Sequence, residues 1–301
     1  MRFYQVDAFT QTPYEGNPCA VFPEAGELTD SQMLAIAREM NLSETAFAMP
    51  SQRADFRARY FMPMGEIPLA GHPTIATIYV MLREGLIGPV PPGEALELTL
   101  ELPAGVITVR VIERDRRPWI TMRQLLPEFL RSYDRAGVAA ALGLRPEDLR
   151  QDVPVQTVST GTPQLMVPVA AEEALNRARI VPSLYEPLAA RGDFFSPHLF
   201  VLYNEGGIYS TRARHFGGVD LTSEDPFTGS ASGGMTAYLY KHELMADTEL
   251  TALQGASVGR PGIATCRVIP DASAENGIGA VEITGTAVSV FTGELETVPP
   301  V

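Results

Sequence analysis

The chain has 301 residues, of which 45% are hydrophobic and 20% charged, an ordinary composition for a globular protein that builds a substantial apolar core. Its formal net charge is −13 and no run of Lys or Arg is longer than two, so neither nucleic acid nor a membrane surface is expected as a partner. No signal peptide precedes the first strand-like residues, and no apolar stretch reaches roughly 18 residues, the length that a membrane span needs, so we expect a cytoplasmic protein.

The first half of the chain is predicted to contain many strands and two helices. Alternating apolar and polar residues predict strands over 3–9, 19–22, 46–49, 57–62, 96–102, 106–112 and 119–122. A Pro-Ala-Gly turn joins the strands over 96–102 and 106–112, which predicts a hairpin. Thr29 precedes apolar residues at helical spacing, which predicts a helix over about 31–40.

The second half replays this order. Its predicted elements are a short helix over 136–142, a strand over 164–168, a helix-like stretch over 183–191, strands over 199–203 and 207–212, a helix that ends near His242, and strands over 251–254, 266–269, 280–284 and 287–291. Both halves therefore read as antiparallel-looking sheets with helices packed against them, which predicts an α+β fold.

Two sequence motifs occur once in each half and in the same order. Residues 66–77 and 224–235 both read Glu-x-Pro-x-x-Gly-polar, followed by small residues. The Gly-Asn-Pro segment at 16–18 is likewise echoed by the Gly-Thr-Pro segment at 161–163. Internal duplication explains both repeats, and roughly 150 residues per domain then fits two similar domains. The predicted domains are residues 1–118 and residues 119–301, with a last strand that can return to the first domain.

Each Glu-x-Pro-x-x-Gly turn leads into the N-terminus of a predicted helix. Such a terminus carries backbone N–H groups without partners and a partial positive charge, both of which favour an anion. Two of these termini facing one another would form a carboxylate site. The expected partner is therefore a small anionic substrate.

Three side chains near these turns are candidates for acid and base chemistry. His72 lies at the predicted start of a helix, and an imidazole suits proton transfer near neutral pH. Glu44 lies between a helix and a strand, where both catalysis and a solvated loop carboxylate fit the sequence. Asp225 stands beside Pro226 and fits either catalysis or a turn or helix cap.

Metal, nucleotide and thiol chemistry are not favoured by the sequence. The four histidines, at 72, 198, 215 and 242, are scattered, and no Walker loop, Cys-x-x-Cys pair or dinucleotide motif is present, so no metal and no cofactor are predicted. Cys19 and Cys266 are too few for a disulfide framework. Racemases of duplicated architecture use one thiol from each half, but these two cysteines do not occupy equivalent positions in the repeat, which disfavours that mechanism.

Several motifs together resemble one protein family over nearly the whole chain. They are Asp7-Ala8-Phe9, Gly16-Asn17-Pro18, Asn41-Leu42-Ser43-Glu44-Thr45, Glu66 to His72, Glu224 to Ser230, and Gln254-Gly255 through Gly259-Arg260-Pro261-Gly262. In this order and spacing, the sequence is similar to the PhzF family of phenazine biosynthesis, whose fold is that of diaminopimelate epimerase. The resemblance implies two similar domains, each a barrel-like, mostly antiparallel sheet around a central helix, with the active site in the cleft between them. It also implies a homodimer and a cofactor-independent isomerase.

The same resemblance implies roles for particular residues. Glu44 would shuttle the proton, and His72, Asp225 and Ser230 would complete the catalytic set. Ser43, Gly71, Gly161 and Gly229 match positions that contact the substrate. The best-understood family activity is the isomerisation of trans-2,3-dihydro-3-hydroxyanthranilate, in which a proton leaves one carbon and is delivered to another. Proton removal from carbon needs donors already in place for the resulting anion, which two helix N-termini supply.

Two other classes of function fit the same sequence. An epimerase or racemase would use Glu44 with Asp225 or His72 in place of thiols. A ligand-binding or protein-interaction module would keep the same pocket without turnover. Exchange of deuterium into a bound compound separates an enzyme from a binding module, and the stereochemistry of the exchanged positions separates an isomerase from an epimerase.

Overall fold

The computed structural model describes residues 1–217 and 223–300. They form two compact units, one of Met1–Arg123 with Thr284–Val301 and one of Gln124–Ile283. The predicted boundary lies between residues 118 and 119, whereas the first unit extends to Arg123 and includes the C-terminal strand. Residues 218–222 and 301, which belong to the predicted second domain, lie outside the described residues.

The N-terminal unit follows the predicted order of strands and helices. Its elements are β1 (Arg2–Ala8), β2 (Asn17–Phe22), α1 (Asp30–Met40), β3 (Glu44–Met49), β4 (Phe56–Met62), β5 (Gly65–Ile67), α2 (Gly71–Arg83), β6 (Ala95–Leu102), β7 (Gly105–Arg114), β8 (Arg117–Arg123) and the C-terminal β17 (Ala287–Glu294). The helix α1 begins directly after Thr29, which forms a reciprocal capping box with Gln32, as its sequence predicts. Only the three-residue strand β5 is not predicted, because so short a strand shows no alternation.

The C-terminal unit contains three elements that the sequence patterns do not predict, the strands β9 and β10 and the helix α4. Its elements are β9 (Glu128–Tyr133), α3 (Arg135–Ala141), β10 (Val155–Ser159), β11 (Pro163–Pro168), α4 (Glu172–Arg177), α5 (Pro182–Ala189), β12 (Ser196–Glu205), β13 (Ile208–His215), α6 (Gly229–Lys241), β14 (Glu249–Gln254), β15 (Gly262–Pro270) and β16 (Ile278–Gly285). Among the described residues of the chain, no helix is both long and apolar enough to cross a membrane.

The strand pairings follow the same series in both units. In the N-terminal unit, β1/β2 is antiparallel, β2/β3 parallel, β3/β4 antiparallel, β4/β6 parallel and β6/β7 antiparallel. In the C-terminal unit, β10/β11 is antiparallel, β11/β12 parallel, β12/β13 antiparallel, β13/β14 parallel and β14/β15 antiparallel. The sheets are thus mixed rather than antiparallel throughout. Each parallel pair follows a crossover that contains a helix, because parallel strands need such a long connection.

The two helices that follow the repeated turns are buried within their own units. The helix α2 packs against β1, β2, β3, β8 and β17, and α6 packs against β10, β11, β14 and β15. Both helices have 13 residues, most of them buried. Polar side chains inside them bond locally, as where the Thr77 hydroxyl donates to the Pro73 carbonyl. Small residues let α6 approach its strands, since a Cβ at Gly234 would lie 2.9 Å from Met166 Cε.

Candidate active site

Glu44 lies at one end of the parallel strand pair β2/β3, just after the turn that follows α1. The helix stops at Asn41, which adopts a left-handed conformation with φ of 49° and donates its backbone N–H to the Ala37 carbonyl. Ser43 follows in the turn, and Glu44 is the first residue of β3, where it pairs in register with Cys19. The Glu44 side chain is 15% exposed, so it is largely shielded while still reached by solvent.

His72 lies in the first turn of α2, directly after Gly71. Burial lowers the pKa of His72 to about 3, so its imidazole is neutral at neutral pH. Its Nε2 atom lies 3.3 Å from Glu44 Oε2, which brings together a neutral imidazole and a carboxylate. The two atoms are close, but they do not meet the geometry of an N–H···O hydrogen bond.

Asn17 is a third polar residue at this pair, and sequence reasoning assigned it no role. Its Nδ2 atom lies 3.1 Å from His72 Nδ1, and the asparagine is fully buried. The turn that leads to Asn17 requires glycine at position 16, because Gly16 has φ of 61° and a Cβ there would lie 2.2 Å from the Ala8 carbonyl oxygen. The only sequence signal for Asn17 is its place in the Gly-Asn-Pro motif.

In the C-terminal unit, Asp225 belongs to a hydrogen-bonded network with Thr228 and Gln254. The Thr228 hydroxyl donates to Asp225 Oδ2, and Gln254 Nε2 donates to the Asp225 carbonyl at 2.7 Å and to Thr228 Oγ1 at 3.1 Å. Gln254 Oε1 accepts the backbone N–H of Thr228 at 3.2 Å. This network fixes the turn that precedes α6. Sequence reasoning assigned no role to Thr228, and Gln254 appeared only as part of a motif.

The other C-terminal candidates lie around the first turn of α6. Gly229 and Ser230 are its first two residues, and the Gly229 carbonyl accepts from Gln124 Nε2 at 2.9 Å. The Thr160 hydroxyl donates to the Ser230 carbonyl at 3.2 Å, which brings the turn containing Gly161 to the start of the helix. Gly161 has φ of 133°, a backbone conformation that favours glycine.

The starts of α2 and α6 share a feature that α1 lacks. Thr29 caps α1 with its side chain, but within the described part of the chain neither Ala70 nor Thr228 makes such a bond to α2 or α6. Ala70 has no hydrogen-bonding side chain, and the Thr228 hydroxyl is engaged with Asp225 and Gln254. The first-turn N–H groups of both helices are therefore left without side-chain caps, as an anion-binding terminus needs.

The glutamates of the repeated turns hold those turns in place. Glu66 accepts two hydrogen bonds from Arg59, at 2.7 and 2.6 Å, and Glu224 is paired in the same bidentate way with Arg214. Each arginine also lies over the phenylalanine two residues later in the chain. The repeated Glu of the motif therefore anchors the turn to the strand before it.

The two cysteines are unsuited to proton abstraction. Burial raises the pKa of Cys266 to about 12, and burial together with the nearby Glu44 carboxylate raises the pKa of Cys19 well above its ordinary value. Both side chains are protonated thiols at neutral pH, which argues against a two-thiol mechanism. Among residues 1–217 and 223–300, no group of three or more His, Cys, Asp or Glu is placed to hold a metal ion.

The structure thus brings the predicted residues together in two groups. Ser43, Glu44, Gly71 and His72 lie in the N-terminal unit, and Gly161, Asp225, Gly229 and Ser230 lie in the C-terminal unit. A shielded carboxylate beside a neutral imidazole is an arrangement that can accept and return a proton. The chain belongs to the PhzC-PhzF family, whose model, described as phenazine biosynthesis-like protein, matches residues 6–293.

Similar sequences include several proteins named as isomerases. An uncharacterized isomerase of Bacillus subtilis, YfhB, is 31% identical over 284 residues, which cover 94% of each chain. The trans-2,3-dihydro-3-hydroxyanthranilate isomerase of Pseudomonas aeruginosa is 30% identical over 295 residues, covering 97% of this chain and 98% of that protein.

Solved structures of the family have the same fold. A PhzF-family protein of Bacillus anthracis superposes with a TM-score of 0.87 at 31% identity, covering 99% of each chain. A predicted epimerase of Pseudomonas aeruginosa gives a TM-score of 0.80 at 32% identity, covering 98% of this chain and 99% of that one. A hydroxyproline epimerase of Agrobacterium vitis, at 13% identity and a TM-score of 0.65 over 97% of this chain and 91% of that one, shares the fold alone.

Proposed function

We propose that this protein is a cofactor-independent isomerase that moves a proton within a small carboxylate substrate, with Glu44 as both base and acid. The observation that carries the proposal is the placement of the Glu44 carboxylate 3.3 Å from the neutral, buried imidazole of His72. The names of the relatives as isomerases support the same class of reaction.

The proposed reaction needs only one carboxylate. Glu44 removes a proton from a carbon of the substrate, so that the C–H bond breaks, an O–H bond forms and the electron pair delocalises into the adjacent unsaturated system. The same carboxyl group then returns the proton to a second carbon on the same face. A single base is sufficient when both carbons lie within its reach.

His72 stabilises the negative charge of Glu44 before Glu44 takes the substrate proton. Because the imidazole is neutral, it acts through the dipole of its N–H group and not as a cation. The uncapped backbone N–H groups at the start of α2 are suited to a substrate carboxylate. We propose that Gly71 and Ser43 contact the substrate in this region.

The C-terminal candidates enter the proposal through the family resemblance. Asp225 and Ser230 are proposed to complete the catalytic set, and Gly161 and Gly229 to contact substrate. Their support in the structure is local: the network of Thr228 and Gln254 holds Asp225, and the first turn of α6 has no side-chain cap among the described residues.

The substrate is proposed to be a small unsaturated carboxylate. The relative from Pseudomonas aeruginosa is named for trans-2,3-dihydro-3-hydroxyanthranilate, which makes that compound the first probe. Turnover in deuterium oxide, followed by NMR of the product, tests the reaction. An isomerase converts the compound into an isomer with the proton on the second carbon, whereas a binding module without turnover leaves the compound unchanged. The deuterium content of that carbon shows how far the proton on Glu44 exchanges with solvent before it is returned.

The role of Glu44 is tested by Glu44→Gln, which keeps the shape of the side chain and removes the base. We expect kcat to fall at least about 100-fold, the lower range for loss of a general acid or base. Glu39→Gln makes the same chemical change at an exposed position of α1 and should leave kcat unchanged. Turnover by Glu44→Gln at the wild-type rate would refute the assignment.

An epimerase is the second candidate, because a structural relative at 32% identity is named as a predicted epimerase. Epimerisation would return deuterium to the carbon that lost the proton and invert its configuration. It would need a second acid or base besides Glu44, for which Asp225 or His72 is the candidate. The position and configuration of the incorporated deuterium therefore separate the two reactions.

We further propose that the chain arose by duplication into two similar barrel-like domains, each a sheet around a central helix, and that it forms a cytoplasmic homodimer. The identical series of strand pairings in the two units and the buried 13-residue helices support the first part. The dimer rests on the family resemblance, and size-exclusion chromatography with light scattering tests it.

A further inference from the structure

Asn17 contacts the ring nitrogen of His72 that points away from Glu44. Asn17 Nδ2 lies 3.1 Å from His72 Nδ1, while His72 Nε2 lies 3.3 Å from Glu44 Oε2. One nitrogen of the imidazole thus contacts an amide, and the other faces a carboxylate oxygen. A neutral imidazole carries only one ring proton, so these two contacts together determine which nitrogen holds it.

The two contacts require the same tautomer. The amide nitrogen of Asn17 can only donate, so Nδ1 must accept with its lone pair. The carboxylate of Glu44 can only accept, so Nε2 must carry the proton. With the proton on Nδ1 instead, the Nε2 lone pair would face a carboxylate oxygen at 3.3 Å, which is a repulsive arrangement.

We propose that Asn17 is a positioning residue that holds His72 as the Nε2–H tautomer, so that the protonated nitrogen of the neutral imidazole faces the Glu44 carboxylate. The catalytic consequence rests on the proposed function, but the tautomer is a property of the protein without substrate. Asn17 is suited to this role because it is fully buried and begins β2 opposite Ala8, next to the turn that requires Gly16.

The tautomer matters for the chemistry of Glu44. An Nε2–H group that faces the carboxylate stabilises its negative charge before it takes the substrate proton. The opposite tautomer would push the carboxylate away from the ring. Asn17 therefore acts on the reaction through His72 rather than by contact with the substrate.

The tautomer can be read directly by NMR of protein labelled with ¹⁵N-histidine. Two-bond ¹⁵N–¹H correlations at neutral pH show which ring nitrogen is protonated, and His72→Gln identifies the His72 signals among the four histidines. We expect a protonated Nε2 and an unprotonated Nδ1. A proton on Nδ1, or an even mixture of both tautomers, would overturn the proposal, and this measurement on the wild type needs no folded variant.

Asn17→Asp tests whether Asn17 determines the tautomer of His72. The introduced carboxylate accepts from Nδ1–H, so we expect Nδ1 to become protonated and kcat to fall about 10- to 100-fold, with KM little changed. Asn204→Asp is the matched control, because Asn204 lies near the exposed end of β12, where an aspartate still accepts from the Gly207 N–H. The control should keep both the wild-type tautomer and kcat.

The two proposals fail in different ways. If Asn17→Asp retains the Nε2–H signature, Asn17 does not set the tautomer, whatever the activity. If wild-type protein shows Nε2–H and Asn17→Asp shows Nδ1–H but no substrate is turned over, the tautomer assignment is supported and the proposed function is contradicted.

Discussion

Gly255 is the position at which a single added methyl group should damage the second repeated turn most. Gly255 follows Gln254 at the end of β14 and has φ of 89°. A Cβ at this position would lie 2.2 Å from the Arg260 carbonyl oxygen and 2.4 Å from the Pro226 carbonyl oxygen. Pro226 is the residue after Asp225, so Gly255→Ala would press directly on the turn that carries a proposed catalytic residue.

Two effects lower the free energy of unfolding in Gly255→Ala. A non-glycine residue in the left-handed region costs about 1–2 kcal/mol, and forcing apart two backbone groups costs about 1–3 kcal/mol more, as in other overpacked sites. We therefore expect the free energy of unfolding to fall by about 2–5 kcal/mol. Both neighbours are backbone carbonyls, which cannot rotate away as the end of a long side chain can.

Gly259→Ala separates the two costs. Gly259 lies four residues later with φ of 70°, and no heavy atom of the described residues lies within 4 Å of a Cβ built there. Only the conformational cost of about 1–2 kcal/mol applies to it.

Urea unfolding followed by circular dichroism gives the comparison, since the single tryptophan is at position 119, in the other unit. Equal destabilisation by Gly255→Ala and Gly259→Ala would show that the close carbonyls relax freely and would refute the reasoning.

Two further predictions concern stability. Burial lowers the pKa of His215 to about 3 and holds the pKa of His198 well below its ordinary value. Both side chains are therefore neutral in the folded protein and take up protons only when it unfolds. Their contribution to the free energy of unfolding is fully present above pH 6.5 and should decrease by about 1.4 kcal/mol per histidine for each pH unit below 6.5. Urea midpoints that stay flat between pH 7 and 5 would contradict this. Thr29→Ala removes the capping box of α1 and should cost about 1 kcal/mol by the same unfolding assay, while Ser31→Ala on the first turn should cost less.

The local structure was largely predictable because turn chemistry and alternation are local signals. The starts of α2 at Gly71 and α6 at Gly229, the capped start of α1 and the hairpin of β6 and β7 are all confirmed. Strand partners are not local, since alternation shows which residues face a core but not which strand lies beside them. The parallel pairs and the short strand β5 therefore appear only in the structure.

In the candidate site, too, local signals predict residues but not the contacts between them. Glu44 and His72 were both predicted as site residues, and the structure places them 3.3 Å apart; their catalytic roles remain predictions. Asn17 contacts His72 across 55 positions of the chain, and no periodicity predicts a contact at that separation. Gln254 likewise reaches Asp225 from 29 positions away. The sequence motifs identified candidate site residues, but the residues that contact them are known only from the packing of the strands.

The repeated strand pairing allows the position of Glu44 to be compared with its counterpart in the C-terminal unit. Cys19 pairs with Glu44 across the parallel strands β2 and β3, and Gln164 pairs with Ser196 across the corresponding strands β11 and β12. Cys19 and Gln164 each stand three residues after the glycine of the Gly-x-Pro motif. Ser196 therefore occupies the place of the proposed base.

The surroundings of Ser196 form a closed chain of neutral hydrogen bonds. The Ser196 hydroxyl donates to Gln164 Oε1 at 2.7 Å, so its oxygen accepts from His215 Nε2 at 2.7 Å. With its proton on Nε2, the neutral His215 ring accepts at Nδ1 from His198 Nδ1 at 3.2 Å. These groups are buried. The Ser196 hydroxyl is neutral and a far weaker base than a carboxylate, and it already donates one hydrogen bond and accepts another within this chain. The C-terminal counterpart of Glu44 is thus unable to act as a second base, which favours same-face transfer by one carboxylate over an epimerisation that uses equivalent residues from both units.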